Sequence, residues 1–260
     1  MKKKLLIDIN NLSLSFDLSF NKNLGVVKSF FNFLKNTKSD KFKALNNISV
    51  KLYSSEIIGV IGKNGCGKTT LLKTIAGIYS PDHGTVNTFG QLGSILSISS
   101  GFKSNLSGKD NIITGGYLMG LNKESIEKKL DYTIKFADLG KFINVPIKYY
   151  SSGMLSRLSF SISKMVDSDI MLIDEAVSVG DADFKKKSEK SLLGMKNKSK
   201  CIVLVSHDLE LIKELCDKVI YMMNGSLYMF DKPEKVIKEY TQNNNSTIKK
   251  LVQKRKNNVY

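Results

Sequence analysis

The sequence predicts an α/β fold: a mostly parallel sheet flanked by helices, with an antiparallel β subdomain and an inserted α-helical subdomain. Short apolar runs alternate with amphipathic helical patterns on both sides of a central region, which is typical of a parallel sheet covered on both faces. The central region, about residues 101–165, has helical periodicity instead. Near the start, two segments alternate apolar and polar residues, as half-buried antiparallel strands do.

The first alternating segment covers residues 5–16 and the second covers residues 48–52. The sequence between them does not fit a simple hairpin, because about residues 24–36 have a helical pattern. Its aromatic and apolar face, with lysines opposite, suits a short amphipathic helix at a membrane interface. A surface helix that packs on its own core would have the same pattern. The apolar positions of that face are Val27, Phe30, Phe31 and Leu34.

A glycine-rich loop, Gly62–Thr69, matches the pattern G-x-x-x-x-G-K-[ST]. An apolar strand pattern at 56–61 precedes it and a helical pattern at 70–78 follows it, which is the context that the pattern requires. A backbone without Cβ atoms can wrap a phosphate chain, and the helix N-terminus adds unpaired N–H groups. We therefore predict a P-loop NTPase core that binds a nucleoside triphosphate. The predicted nucleotide-binding residues here are Gly62, Lys63, Asn64, Gly65, Cys66, Gly67, Lys68, Thr69 and Thr70.

Two further side chains at this loop have expected roles, and two carboxylates follow a later strand. Lys68 is expected to neutralise the β- and γ-phosphates, and the Thr69 hydroxyl to hold Mg²⁺. The apolar strand at 170–173 ends in Asp174 and Glu175. Ligands gather at the carboxyl ends of parallel strands, so both acids are expected at the phosphate site. Asp174 offers the oxygen ligand that Mg²⁺ prefers, and Glu175 is predicted to be the general base for the attacking water.

Strand and helix patterns continue to alternate after Glu175. A helix is predicted near 184–195, a strand at 201–205, a helix near 209–215 and a strand at 219–223. His207 follows the strand at 201–205, so we expect its imidazole to reach the γ-phosphate at the same edge.

A further anion-binding element is predicted at Tyr150–Met154, which we call the signature segment. Its sequence, Tyr-Ser-Ser-Gly-Met, opens a helical pattern. Serine and glycine at a helix start cap the helix and leave N–H groups for an anion.

Composition is that of a globular protein with a large positive charge. Apolar residues make up 42% and mean hydropathy is −0.14, and no apolar run approaches the ~20 residues that span a bilayer. The net charge of +16 suits nucleic acid or the inner leaflet of a membrane, although a generally lysine-rich composition would give the same value. Three cysteines without metal-ligand or redox spacing fit a reduced, cytosolic chain.

In their order along the chain, these motifs resemble those of the ATP-binding cassette (ABC) ATPases. The glycine-rich loop, helical insert, signature segment, Asp174-Glu175, a loop at 178–181 and His207 follow the family's order. The resemblance covers about residues 5–240. Tyr-Ser-Ser-Gly-Met, in place of the commoner Leu-Ser-Gly-Gly-Gln, is similar to the polysaccharide-exporter branch, which moves O-antigen, capsule or teichoic acid chains.

The resemblance implies a head-to-tail homodimer that binds ATP with Mg²⁺. Each ATP would lie between the glycine-rich loop of one chain and the signature segment of the other. Ser151, Ser152 and Gly153 would then act on the partner's γ-phosphate, and Asp181 would lie in the loop at the dimer contact. The usual adenine-stacking tyrosine is replaced by Phe16, with Phe42 as a competing candidate.

One stretch departs from the family pattern. The loop joining the core to the helical insert usually carries Gln, or Glu in this branch. The matching residues 97–100 are Ser-Ile-Ser-Ser, and Gln91 lies several residues too early. The resemblance therefore gives no magnesium-sensing or coupling residue in this loop.

From this resemblance we expect the ATP-binding and ATP-hydrolysing subunit of a bacterial transporter that exports a polysaccharide across the inner membrane. It would lie peripherally on the cytoplasmic face, against separate transmembrane permease subunits and the anionic inner leaflet, with no nucleic acid expected. Residues 1–241 would form the ATP-binding domain and 242–260 a basic mobile tail, with no appended carbohydrate-binding domain. The alternatives are the ATPase of an importer and a soluble ATPase that acts on nucleic acid or ribosomes.

Overall fold

A computed structural model describes residues 3–17, 41–94, 101–174, 182–198 and 200–244. Some predicted features lie outside these residues and stay predictions. They are Glu175, Asp181, the helix at 24–36, the loop at 97–100 and the tail beyond 244.

The smaller of the two sheets is antiparallel and has three strands. They are β1 (Leu5–Asp17), β2 (Lys41–Tyr53) and β4 (His83–Thr88), in the order β2-β1-β4. Cross-strand partners in β1 and β2 include Phe16 with Phe42. The two aromatic candidates for the nucleotide base therefore sit opposite each other at one end of this sheet.

The larger sheet has six strands in the order β5-β6-β7-β3-β8-β9. Neighbouring strands are parallel except for β9, which is antiparallel to β8. The carboxyl ends of β3, β6 and β7 adjoin, so the loops that follow these strands share one edge. The strands are β3 (Glu56–Ile61), β5 (Leu92–Ser94), β6 (Ile170–Asp174), β7 (Cys201–Val205), β8 (Lys218–Met223) and β9 (Ser226–Asp231).

Most of the helices start at a residue whose side chain caps the first turn. Ser107, Asn122, Ser151 and Asp208 each accept a hydrogen bond from a backbone N–H of the helix that they precede. Between α3 and α4 the chain forms two 3₁₀ turns. The helices are α1 (Lys68–Ile75), α2 (Gly108–Leu118), α3 (Lys123–Ala137), α4 (Ser152–Ser163), α5 (Ala182–Asn197), α6 (Leu209–Leu215) and α7 (residues 233–244).

The larger sheet has a hydrophobic core on each face, because successive strand side chains point to opposite sides. Ile57 and Ile61 of β3 belong to one cluster, and Ile58 and Val60 to the other. The first cluster also contains buried residues of α2, α3 and α4. The helical stretch at 101–165 therefore shares its core with one face of the sheet.

An aromatic junction joins this helical stretch to α5. It consists of Phe136 of α3, Phe160 of α4 and Phe184 of α5, whose ring centroids lie 5.9–6.2 Å apart. Lys187 of α5 donates a hydrogen bond to the Phe136 carbonyl oxygen at 3.0 Å, and Arg157 lies over the Phe184 ring at 5.1 Å. The contact between the Arg157 guanidinium and the ring is attractive because the face of an aromatic ring carries partial negative charge.

The predicted fold class is confirmed, but three strands were not predicted from the sequence. Strand β4 begins at His83, where the sequence indicates a turn, and only one of its residues is even partly buried. Strand β9 has no fully buried residue, and β5 is three residues long. These strands lack apolar alternation because they bury too little on either face to need it. No helix in the described ranges combines the length and apolar character that crossing a bilayer requires.

Candidate nucleotide site

The glycine-rich loop lies between the carboxyl end of β3 and the first turn of α1. Gly67 caps α1 with φ +103°, and a Cβ there would lie 2.7 Å from the Ala44 carbonyl oxygen. Only glycine fits both this backbone conformation and this close approach. The loop therefore packs backbone against backbone on β2 at this position.

Lys68 is held in place by the loop itself. Its side chain is only 7% exposed, and its Nζ donates to the carbonyl oxygens of Gly62 at 2.8 Å and Lys63 at 3.2 Å. A buried ammonium needs such acceptors, because the loss of hydration on burial of an unpaired charge costs on the order of several kcal/mol. The positive charge is thus fixed beside the loop before any anion arrives.

Thr69 and Asp174 meet across the edge of the larger sheet. The Thr69 hydroxyl donates a hydrogen bond to Asp174 Oδ2 at 2.8 Å, although the two residues are 105 positions apart in the sequence. The hydroxyl keeps its lone pairs, so a hydroxyl and a carboxylate oxygen converge on one place. This donor set fits Mg²⁺, which is a hard cation that prefers oxygen ligands.

His207 follows β7, whose last residue, Val205, is the register partner of Asp174 in β6. The imidazole is exposed, and the residues on either side of it are fixed. Ser206 Oγ accepts from the Asp208 N–H at 3.0 Å, and the Asp208 carboxylate caps α6. The structure thus brings His207 to the edge where β6 ends.

The Asp208 carboxylate also pairs with Lys185 of α5 at 2.8 Å. The hydrogen bond from Lys185, followed by the one from the Leu211 N–H, lowers the pKa of this carboxyl below its usual value. In turn, the hydrogen bond to Asp208 raises the pKa of Lys185. The pair ties the loop that carries His207 to α5.

A cavity of about 320 Å³ lies beside the glycine-rich loop. Both candidate base-stacking residues line it, but they differ in support. Phe16 packs edge-on against Tyr79 with centroids 5.3 Å apart, whereas Phe42 is 49% exposed. The lining residues are Phe16, Phe42, Ala44, Asn64, Gly65, Gly67, Lys68, Thr69 and Thr70.

The signature segment lies at the exposed start of α4. Ser151 Oγ accepts from the Met154 N–H at 3.2 Å, and the buried Tyr150 donates its hydroxyl to the Phe142 carbonyl oxygen. Ser151 and Ser152 are exposed, and Gly153 is partly so. Among the described residues, none of the signature segment lines the cavity at the glycine-rich loop.

Cys66 contributes a buried thiol to the loop. Burial raises the pKa of its thiol, and the nearby Lys68 charge acts in the opposite direction. The thiol therefore stays neutral at physiological pH and adds no negative charge near a phosphate.

Sequence reasoning missed two contributors to this site. Ala44 of β2 contacts the loop and lines its cavity, and Gly225 of the β8–β9 turn donates its N–H to the Cys66 carbonyl oxygen at 3.1 Å. The dipeptide Asn224-Gly225 is a strong hairpin signal that would have predicted the turn, although not its contact with the loop.

A family model described as "ABC transporter" matches residues 45–178. The teichoic acids export ATP-binding protein TagH of Lactococcus lactis is 45% identical over 206 residues, which is 79% of this chain and 44% of that protein. The O-antigen export system ATP-binding protein RfbB of Klebsiella pneumoniae is 37% identical over 205 residues, 79% of this chain and 83% of that protein.

The chain spans about half the length of several of these relatives, with 44%, 46% and 53% of three of them covered. Among solved structures, a dimeric post-hydrolysis ATP-binding cassette with ADP and Pi has a TM-score of 0.71 at 17% identity. That match covers 88% of this chain and 99% of the other. An ATP-binding subunit of an ABC transporter has a TM-score of 0.69, also at 17% identity, over 91% of this chain and 93% of the other. Both likenesses concern the fold.

Proposed function

The chain belongs to the ABC transporter family, and from this premise we propose that it is the ATP-hydrolysing subunit of a bacterial polysaccharide exporter. The contact between Thr69 and Asp174 carries the proposal for the site, because it unites the glycine-rich loop with the end of β6. The substrate class rests on the exporters of teichoic acid and O-antigen to which the chain is similar.

In this proposal, the loop residues bind and orient the triphosphate. The N–H groups of the loop and of the first turn of α1 would donate hydrogen bonds to the phosphate oxygens, and Lys68 would neutralise their charge. Thr69 and Asp174 would hold Mg²⁺, which neutralises phosphate charge when it is bound. Glu175 would take the proton of the attacking water, and His207 would donate a hydrogen bond to the γ-phosphate.

We further propose that two copies complete each other's sites head to tail. The N-terminus of α4 is exposed and carries Ser151, Ser152 and Gly153, and these residues are absent from the described lining of the chain's own cavity. A helix start with free N–H groups suits a phosphate, so a second copy could present it to the γ-phosphate. Asp181 would lie at the contact between the two copies.

The permease partner would contact a groove beside the helical stretch, whose lining is partly apolar and partly polar. The groove has a volume of about 410 Å³ and is lined in part by Ala76, Ile78, Leu92, Leu118, Met119 and Val166. Leu118 and Ile78 are 66% and 51% exposed, so together they give the groove an apolar edge that a partner could cover. The proposed membrane-facing helix at 24–36 and the +16 charge would add contact with the cytoplasmic face of the inner membrane.

Lys68→Ala tests the nucleotide site. We expect this variant to fold but to lose ATP hydrolysis by about a hundredfold or more, because the fixed charge beside the phosphates is gone. The measurement is phosphate release by the purified chain, with ATP affinity measured in parallel. Lys109→Ala, an exposed lysine on α2, is the control. If Lys68→Ala has the wild-type affinity for ATP and the wild-type hydrolysis rate, the proposed nucleotide site is wrong.

The exporter assignment is tested by isolation from membranes. When the chain is co-expressed with a candidate permease, a multi-span membrane protein encoded beside its gene, we expect detergent to extract the two together. Recovery only in the soluble fraction together with RNA would contradict the exporter proposal and favour a nucleic-acid-associated ATPase.

A further inference from the structure

The turn between β8 and β9 contacts the outer side of the glycine-rich loop. It consists of Asn224 and Gly225, with φ +49° and +78°, and Met223 pairs with Ser226 across it. Two consecutive residues with positive φ are typical of the tight hairpin turns that Asn-Gly favours. The turn is therefore a rigid feature that the sequence specifies locally.

The turn is hydrogen-bonded on two sides. The Gly225 N–H donates to the Cys66 carbonyl oxygen at 3.1 Å, and the Gly225 carbonyl oxygen accepts from the Asn46 N–H at 2.8 Å. Ser226 Oγ adds a bond to the Asn46 carbonyl oxygen at 3.2 Å. The turn thus bridges the loop to β2. Asn46, its contact in β2, is not in the described lining of the cavity beside Lys68.

No side chain fits at position 225. A Cβ there would lie 2.8 Å from the Ala44 carbonyl oxygen, and the backbone conformation is one that L side chains rarely adopt. The same carbonyl oxygen lies 2.7 Å from the place that a Cβ on Gly67 would occupy. Ala44 is therefore packed between the turn and the loop, and a shift of the turn would be transmitted to the loop.

The bond to Cys66 has a consequence for Gly67. The Cys66 carbonyl and the Gly67 N–H belong to one planar trans peptide, so they point in opposite directions. Cys66 lines a second cavity on the side of Asn224, whereas Gly67 lines the cavity beside Lys68 and Phe16. Holding the carbonyl outward on Gly225 therefore directs the Gly67 N–H toward the proposed phosphate site.

We propose that Gly225 is a positioning residue for nucleotide binding, acting through the Cys66–Gly67 peptide. The inference rests on the proposed function, because it assumes that the glycine-rich loop holds the phosphates. It adds Gly225, which follows Cys66 by more than 150 positions, to the residues that determine the affinity for ATP.

The test compares Gly225→Ala with Gly140→Ala in the full chain. Gly140 also has positive φ, at +52°, but nothing lies within 4 Å of an added Cβ, so it controls for backbone strain alone. We expect Gly225→Ala to raise the KM for ATP by about tenfold, as the loss of one well-directed hydrogen bond to a charged group would do. The kcat should change by less than about twofold, since saturating ATP still selects the productive loop.

A purely structural role would give a different pattern, in which kcat falls with the folded fraction and KM stays constant. Folding is followed by circular dichroism and thermal melting. An unchanged KM in a folded Gly225→Ala would overturn the inference. If Gly225→Ala does not fold, Asn224→Ala decides, because alanine disfavours the positive φ (+49°) that the turn needs and adds no atom beside Ala44. A raised KM then supports the inference, and an unchanged KM overturns it.

Lys68→Ala in the same assay separates this inference from the proposed function. If Lys68→Ala keeps the wild-type KM, the proposed nucleotide site itself is wrong. If Lys68→Ala loses ATP binding while Gly225→Ala matches Gly140→Ala, the site stands and the positioning role of Gly225 falls.

Discussion

Lys68 is a buried cation whose orientation is set by the residues around it. Two carbonyl oxygens of the loop accept hydrogen bonds from its ammonium, which offsets much of the cost of removing that charge from water. Groups fixed in this way need no reorganisation when a charged ligand binds. The proposed phosphate site would therefore have a positive charge that is already oriented.

Phe16 is the residue that we propose for stacking on adenine. Alanine substitution of Phe16 and of Phe42 in turn distinguishes the two candidates. Phe16→Ala should raise the KM for ATP between about twofold and tenfold, the range expected for one aromatic stacking contact. Phe42→Ala, the matched variant across β1 and β2, should raise it less. KM values from steady-state hydrolysis provide the comparison, and the reverse order would assign the base to Phe42.

Individual site residues were predictable where a local motif names them. Lys68, Thr69 and Asp174 follow from the loop pattern and from an apolar strand that ends in acids. Ala44 and Gly225 have no such signal, because their contribution comes from backbone contacts made by other parts of the chain. Periodicity and motifs describe side chains, and they carry no information on which carbonyl oxygen meets which loop.

At the scale of the elements, α6 depends on one capping carboxylate. Asp208 caps its first turn and pairs with Lys185, and these contacts lower the carboxyl pKa. A lowered pKa in the folded state means that the stabilisation is present above the unfolded value, near pH 4, and is lost as pH falls through the folded value.

Asp208→Asn keeps the cap but loses the ion pair with Lys185 and the negative charge at the start of α6, so it should destabilise the protein by about 0.5–1 kcal/mol at neutral pH. The difference from wild type should shrink as pH falls below about 4, when the wild-type carboxyl also becomes protonated. Urea unfolding at several pH values measures it. Lys185→Gln keeps the cap and should cost less. A difference that is constant down to pH 2 would contradict the assignment.

Element types were predictable in the buried part of the chain and less so at its surface. Strands β3, β6 and β7 are buried along almost their whole length, and their apolar runs predict them correctly. Strand β4 has no buried residue, so its pairing with β1 is decided by backbone hydrogen bonds that leave no pattern in the sequence.

The groove beside α2 gives a prediction for the assembled transporter. Leu118→Asp should leave ATP hydrolysis by the isolated chain unchanged, because the side chain is largely exposed. It should abolish co-purification with the permease, since a charge would be buried in an apolar contact. Leu193→Asp, at an exposed leucine of α5, is the control. Normal co-purification of Leu118→Asp would show that the permease contacts another part of the surface.

At the scale of the whole molecule, complementation between chains tests the head-to-tail arrangement. A dimer of one Ser151→Ala chain and one Lys68→Ala chain would retain one intact site of two, and hence about half of the activity. A dimer with both substitutions on one chain would retain none. Hydrolysis by tagged, co-purified mixed dimers measures this.

Ser107→Ala controls for the loss of a helix cap, because Ser107 caps α2 as Ser151 caps α4. If the dimer with both substitutions on one chain is the more active of the two, each chain acts on its own nucleotide and the proposed arrangement is wrong.

The core that α2, α3 and α4 share with the larger sheet also determines how the chain folds. Ile112, Ile126 and Leu158 lie in the same cluster as Ile57, Ile173 and Ile202. Because the two groups share one cluster, we expect them to form and melt cooperatively. We therefore expect that the stretch at 101–165 does not fold stably on its own. Weakening its packing lowers the free energy of unfolding of the strand that ends at Asp174.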